Sequence, residues 1–116
     1  MRDHTKLKVF ELADRPAIRV YRCTANFPRA EQYGLRARIR RAAVSIPTNI
    51  VEGCARSTQA EYSRFIEISY GSARQLQYEV ALNARLGFLD ETSAKHLHDE
   101  CTALARALNA LLRALR

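Results

Sequence analysis

The feature that most limits what this chain can fold into is its hydrophobic rhythm. Apolar residues return at steps of three and four in four successive blocks, and only short breakers separate them. Strand-like alternation is sustained nowhere. Four amphipathic blocks with short connections bury their stripes against one another, so the expected fold class is all-α, an up-and-down antiparallel four-helix bundle. At 116 residues the chain holds one core, and 1–116 reads as a single domain.

The first block covers residues 6–27 and offers Leu7, Phe10, Val20, Cys23 and Phe27 for burial, stopping at Pro28 because proline disfavours helix in the residue before it. Pro16 inside this block predicts a kink or a late start. The second block runs from Gly34 to Glu52, with Gly53 placed as a left-handed cap. At about 100° per residue, Leu35, Ile39, Ala42, Ala43, Ile46 and Ile50 form its core stripe. Ala37, Val44, Pro47 and Val51 fall on roughly the opposite side. A helix with two apolar faces needs a second covering surface, which makes these four the candidate oligomer interface.

In the third block Thr58 and Glu61 have capping-box spacing. Tyr62, Phe65, Ser69, Ser72, Leu76, Val80 and Asn83 follow at steps of three and four, ending at Gly87 after about 45 Å of helix. Gly71 with Ser69, Ser72 and Ala73 reads as a small-residue patch that lets another backbone approach. The fourth block follows the "GFLDE" loop with Asp90 or Thr92 as N-cap, and Leu97, Cys101, Leu104, Leu108, Leu111 and Leu115 make its seam.

Nineteen Lys and Arg against twelve Asp and Glu give a formal charge of +7. Most of the excess is Arg, whose planar fork suits phosphate, so an anionic macromolecular partner is expected, with solubility as the alternative role. The densest cluster is Arg36, Arg38, Arg40 and Arg41. On the helical wheel Arg38 and Arg41 lie with Ser45, Asn49 and Glu52, while Arg36 and Arg40 occupy the other flank. Arg41, Ser45, Asn49 and Glu52, with Arg56 in reach, therefore read as a partly buried polar network. Arg36 and Arg40, with Arg22, Arg29 or Arg56, are the candidate phosphate contacts. The tyrosines Tyr21, Tyr33, Tyr62, Tyr70 and Tyr78 have spacing that favours core packing over base stacking.

Three cysteines at wide spacing without a CxxC indicate neither a disulfide framework nor a zinc site, and a reducing cytoplasmic location is expected. His98 and Cys101 stand three apart, but Cys101 belongs to the seam and no third ligand is visible, so no metal is expected. No signal-peptide pattern, no stretch of about 20 apolar residues, no glycine-rich phosphate loop and no catalytic motif is present, so membrane, cofactor and enzymatic roles are not expected.

The segments "VYRCTANFP", "YGLRARIRRAAVSIPTNIVEG", "EYSRFIEISYGSARQLQYEV" and "LNALLRAL" resemble the four-helix bundle family of 23S rRNA intervening-sequence proteins, from about Leu7 to Leu115. The most specific part is an RRA-x-SIP-x-NI-x-EG signature, matched by Arg40, Arg41, Ala42, Ser45, Ile46, Pro47, Asn49, Ile50, Glu52 and Gly53. The resemblance implies a left-handed bundle assembling into a homopentamer, bacterial, with no catalysis attributed to it. A related branch, the accessory variability proteins of diversity-generating retroelements, forms basic pentameric barrels that bind a reverse transcriptase and nucleic acid. This chain departs from the pattern at Pro16, at Arg38 for a common Gln, at Val51 for Ala and at Gln75 for a frequent Glu.

The functional expectation is a non-enzymatic, oligomeric accessory protein whose arginines hold RNA or DNA by the phosphate backbone without reading sequence. The alternative is an adaptor or scaffold that docks a protein, such as a reverse transcriptase or a ribosome-associated partner.

Overall fold

The computed structural model describes all residues 1–116 and contains four long helices and no strand. They are α1 (Lys8–Cys23), α2 (Leu35–Cys54), α3 (Gln59–Arg85) and α4 (Glu91–Ala114). Each packs on its sequence neighbours and α1 also closes on α4, while α1 and α3 stay apart, as do α2 and α4. Connections this short force consecutive helices to run antiparallel. The result is an up-and-down bundle of 43 × 23 × 19 Å, in which the 27 residues of α3 account for the long axis.

Local chemistry explains most of the boundaries. The Thr58 hydroxyl accepts from the Glu61 amide at 3.2 Å and donates to the Glu61 carboxylate at 2.9 Å, so Thr58 caps α3 with Glu61 folded back onto its hydroxyl. At its far end Gly87 takes φ +84°, the left-handed conformation that ends the helix. Asp90, not Thr92, caps α4 by accepting from the Ser93 amide at 2.7 Å. Those bonds from Ser93 hold the Asp90 carboxyl below its usual range.

Neither breaker sets a helix end. α1 does not start late at Pro16: it begins at Lys8 and carries Pro16 on its buried stripe with Val9, Ala13, Ala17 and Val20. A ring that fills the core offsets the missing hydrogen bond. Gly53 does not cap α2, which continues to Cys54 with Gly53 buried inside it. Its role is clearance, because a Cβ there would sit 2.9 Å from the Phe65 Cβ of α3 and 3.4 Å from the Tyr62 carbonyl.

The seam between α2 and α3 is the most extensive in the molecule and is built from small residues. Ser69 is fully buried and donates to the Ile46 carbonyl at 2.9 Å, a bond that exists only if the two backbones lie close. The Ser45 and Ser72 hydroxyls meet at 2.8 Å one turn away. Gly71, grouped with this patch by sequence, is instead exposed with nothing within 4 Å of its Cβ position. It lies one step past the buried stripe, so the close approach uses Ser69, Ser72 and Ala73 without it.

The core itself is a continuous cluster in which Ile39, Ile46, Ile50, Ile66, Leu76, Leu97, Leu104 and Leu108 are fully buried. Leu35, Leu111 and Leu115, expected on the stripes, are only half-buried at helix ends. Phe27 closes one end against Phe88, ring centroids 5.5 Å apart. Arg2 straps the other, its amide donating to the Cys54 carbonyl at 2.8 Å and its guanidinium lying 3.8 Å from the Tyr62 centroid.

The two glycines give opposite expectations for one substitution. Gly71→Ala gains helix propensity in open space and should stabilise by about 0.5–1 kcal/mol. Gly53→Ala forces the α2–α3 seam apart and should destabilise by about 1–3 kcal/mol despite the same propensity gain. Paired thermal melts check both signs.

Candidate nucleic-acid interface

The polar residues of α2 divide between its two neighbours. On the α3 side, Asn49 donates to the Ser45 carbonyl at 2.7 Å and to its hydroxyl at 3.0 Å, and Ser45 continues to Ser72. Arg38 approaches Glu79 at 3.6 Å. Glu79 is the one fully buried carboxylate; its Oε1 has no partner, and neither does Oδ1 of the buried Asn83 one turn on. Sequence reasoning passed over Glu79 because a charged residue at a core position is rare.

The expected four-residue network is therefore only half present. Ser45 and Asn49 form it, whereas Glu52 is exposed and pairs along its own helix with Arg56 at 3.0 Å. Arg41 is exposed and makes no hydrogen bond or ion pair, because its position projects outward past the α3 flank. The residue facing α3 with a carboxylate in reach is Arg38.

On the α1 side the reverse correction applies to Arg40. It donates through Nε to the Thr24 hydroxyl at 2.8 Å and through Nη2 to the Tyr21 carbonyl at 3.1 Å. Its guanidinium also lies 4.4 Å from the Tyr21 ring centroid. Thr24 in turn donates to Val20, so Arg40 ties down the carbonyl end of α1, where the helix dipole is negative. Much of its donor capacity is spent inside the fold. Its charge is not, since none of these partners is a carboxylate.

Arg36 and Arg22 make no intramolecular polar contact, and neither does Arg29, which sits in a short 3-10 turn, Arg29–Glu31. Arg56 lies just past the far end of α2, beyond about 27 Å of helix from Arg36 to Cys54. Besides pairing with Glu52, it stacks 4.8 Å from the Phe65 centroid. Four of the five candidate phosphate contacts thus gather at the α1–α2 end, and Arg56 does not join them.

At that end the outer side of α2 floors a shallow groove of about 780 Å³. Arg36, Arg40 and Arg41 line it with Tyr21 and Tyr33, Ala37 and Val44 lie along its floor, and Gln75 reaches it from α3. No carboxylate lines it. A smaller hollow of about 350 Å³, formed by Ala17, Ile18, Tyr21, Arg22 and Val44, continues it over α1. Gln75 stands where the family resemblance leads one to expect Glu, and its neutrality keeps the lining free of negative charge.

The two surfaces expected separately, cationic and apolar, meet here. Of the four candidate interface residues, Val44 and Val51 are 39% and 36% exposed, while Ala37 and Pro47 are half-buried. The tyrosines also depart from expectation: Tyr62 is buried, but Tyr21, Tyr33 and Tyr78 are 45%, 88% and 55% exposed. Helical spacing located them without revealing that they lie off the buried stripes. Elsewhere, burial pushes the Cys101 thiol up to about 12, which leaves it a neutral space-filler, and His98 beside it is exposed. No three His, Cys, Asp or Glu side chains converge where they could share a metal ion. No helix is long and apolar enough to cross a membrane.

The family model for the 23S rRNA-intervening sequence protein matches residues 5–110. The chain belongs to that family. Among curated proteins nothing matches it. Of solved structures, it is similar to a protein of unknown function from the S23 ribosomal protein family of Bacteroides thetaiotaomicron VPI-5482, with a TM-score of 0.80 and 19% identity over 90% of this chain and 97% of that one. At that identity the likeness is one of fold. Within the segment Arg40–Gly53, Ala42, Ser45, Ile46, Asn49, Ile50 and Gly53 all serve the core or the α3 seam.

Adjacent arginines should therefore differ sharply in stability scans. Arg40→Ala removes two hydrogen bonds and a cation–π contact and should cost about 1–3 kcal/mol. Arg41→Ala should stay within about 0.5 kcal/mol of the parent in denaturant titrations.

Proposed function

We propose that this chain is a non-enzymatic, homo-oligomeric accessory protein that holds RNA or DNA by its phosphate backbone at the α1–α2 end of the bundle. The observation that carries the reading is the acid-free groove bordered by Arg22, Arg36 and Arg41, none of which has an intramolecular polar partner. Guanidinium groups left unneutralised at one end of a protein of charge +7 make a positive field suited to a polyanion. Arginine forks also bind phosphate oxygens bidentately.

Assembly fits the other half of the same face. Along α2 the outward residues change from Arg36 and Arg41 to Val44 and Val51. Arg36 and Val51 are fifteen residues apart, about 22 Å of helix, so a second copy seated on the Val51 end leaves Arg36 free, with Val44 where the two surfaces meet. Five copies is the number the family resemblance gives. The competing reading, a protein-docking adaptor, draws on the same exposed Ile18, Tyr21 and Val44.

Binding should respond steeply to salt. With about four to six cations displacing counterions, log affinity falls against log salt with a slope of about −3 to −5. Arg22→Ala, Arg36→Ala and Arg41→Ala should each flatten that slope by about one and leave the melting temperature in place. Salt-insensitive, weak retention of rRNA fragments and generic duplexes in filter binding overturns the reading, and a protein partner that survives nuclease treatment favours the adaptor.

Assembly has its own readout. Val44→Glu with Val51→Glu should lower the sedimentation mass to that of one chain while helicity is retained, whereas a parent protein already monomeric at working concentration sinks the oligomer.

A further inference from the structure

We infer that the groove takes single-stranded polynucleotide in preference to duplex, with an unpaired base stacked on Tyr33 beside the backbone contacts of Arg36. This rests on the phosphate-binding reading above and specifies which form of nucleic acid the site selects. Tyr33 is 88% exposed, the highest exposure of any aromatic residue in the chain, and its hydroxyl makes no intramolecular hydrogen bond. It lies in the turn just before α2, four residues ahead of Ala37, and lines the groove with Arg36 and Arg41. The fold has no use for this ring. It is neither core nor cap.

The rest of the lining points the same way. Tyr21, also in the groove, is held by the Arg40 guanidinium 4.4 Å from its centroid, so its ring is fixed in place while remaining 45% exposed. The lining they share includes a small apolar floor made by Ala37 and Ala42. A duplex presents sugar and phosphate to such a surface and keeps the faces of its bases stacked inside, leaving rings and floor without partners. An unpaired strand presents both phosphates for the arginines and π-faces for the rings, the combination found in grooves that track single strands. Every base has such a face, so the stacking adds affinity without sequence preference.

The test is fluorescence anisotropy on the full-length protein, with labelled oligo(U) RNA and oligo(dT) DNA of about 16 nucleotides and mixed-sequence duplexes of the same length. Single strands should bind about tenfold or more tighter than duplexes, and comparing the two single strands tells RNA from DNA. Tyr33→Ala should weaken single-strand binding about fivefold or more while leaving duplex affinity, the salt slope and the melting curve in place, and Tyr33→Phe should behave as the parent.

Equal or tighter binding of duplex overturns the inference. So does single-strand affinity that Tyr33→Ala leaves untouched, including the case where that variant lowers the sedimentation mass and the ring serves contact between copies. If Arg36→Ala weakens both forms and Tyr33→Ala neither, stacking fails and the backbone reading stands. If no polynucleotide binds, both fail.

Discussion

The close approach of α2 to α3 is the constraint from which the rest of the molecule follows. Gly53 leaves no room for a methyl group against Phe65, and Ser69 reaches across to the Ile46 carbonyl. Contacts of that kind fix rotation as well as distance, because a small turn of either helix would separate the hydroxyl from its acceptor and drive Gly53 off its notch. Once α2 is locked in rotation, its remaining faces have no freedom. Arg40 must point at the end of α1, Arg38 at Glu79, and Arg41 and Val44 at solvent.

How far this could be read from residues alone differs by kind of information. Helix number, the cap residues Thr58 and Asp90 and the terminator Gly87 were legible because each depends on chemistry within a few residues of chain. Gly53, which reads as a cap, is the glycine that meets a neighbour, and Gly71, which reads as a close approach, meets none, because a glycine's local sequence does not show what faces it. Which of them meets a neighbour depends on the angle of the other helix. Arg40 and Arg41 were likewise assigned to flanks correctly, but a wheel gives direction and no depth, so it could not tell that Thr24 and the Tyr21 carbonyl wait opposite one and water opposite the other. Glu79 and the exposed tyrosines were missed by ordinary expectation about what is buried.

The arginines accordingly divide by what they neutralise. Arg15, Arg19, Arg38 and Arg56 face carboxylates, and of these Arg19 spans α1 to α4, reaching Glu100 at 2.7 Å. Arg40 faces only neutral groups, so it braces the fold and still adds its charge to the surface around it. Arg22, Arg29, Arg36 and Arg41 have no partner at all, as is also true of Arg64, Arg85, Arg106 and Arg113 on α3 and α4 and of Arg116 just beyond α4. Exposed ion pairs contribute little to stability, so placing unpaired arginines together costs the bundle some mutual repulsion with nothing returned to the fold. The convergence of Arg36 and Arg41 on a groove with no carboxylate in its lining, more than the total charge, singles out the α1–α2 end.

Helix α2 carries this asymmetry along its length. Its inward residues are wholly committed: substitution at Ala42, Ser45, Ile46 or Gly53 acts first on packing, so none is free to be adjusted for a ligand. Only the outward line can carry a recognition role without disturbing the seam, and that line is cationic and aromatic near Tyr33 and Arg36 and apolar near Val44 and Val51. A surface uniformly charged would repel a second copy, and one uniformly apolar would offer a polyanion nothing. Splitting one helix face into two adjoining halves lets a single rigid element serve both, provided each neighbouring copy stops short of Arg41, one turn from Val44. The seam with α3 keeps the two halves in fixed register, so the geometry of assembly and the geometry of the groove are set by the same few small residues.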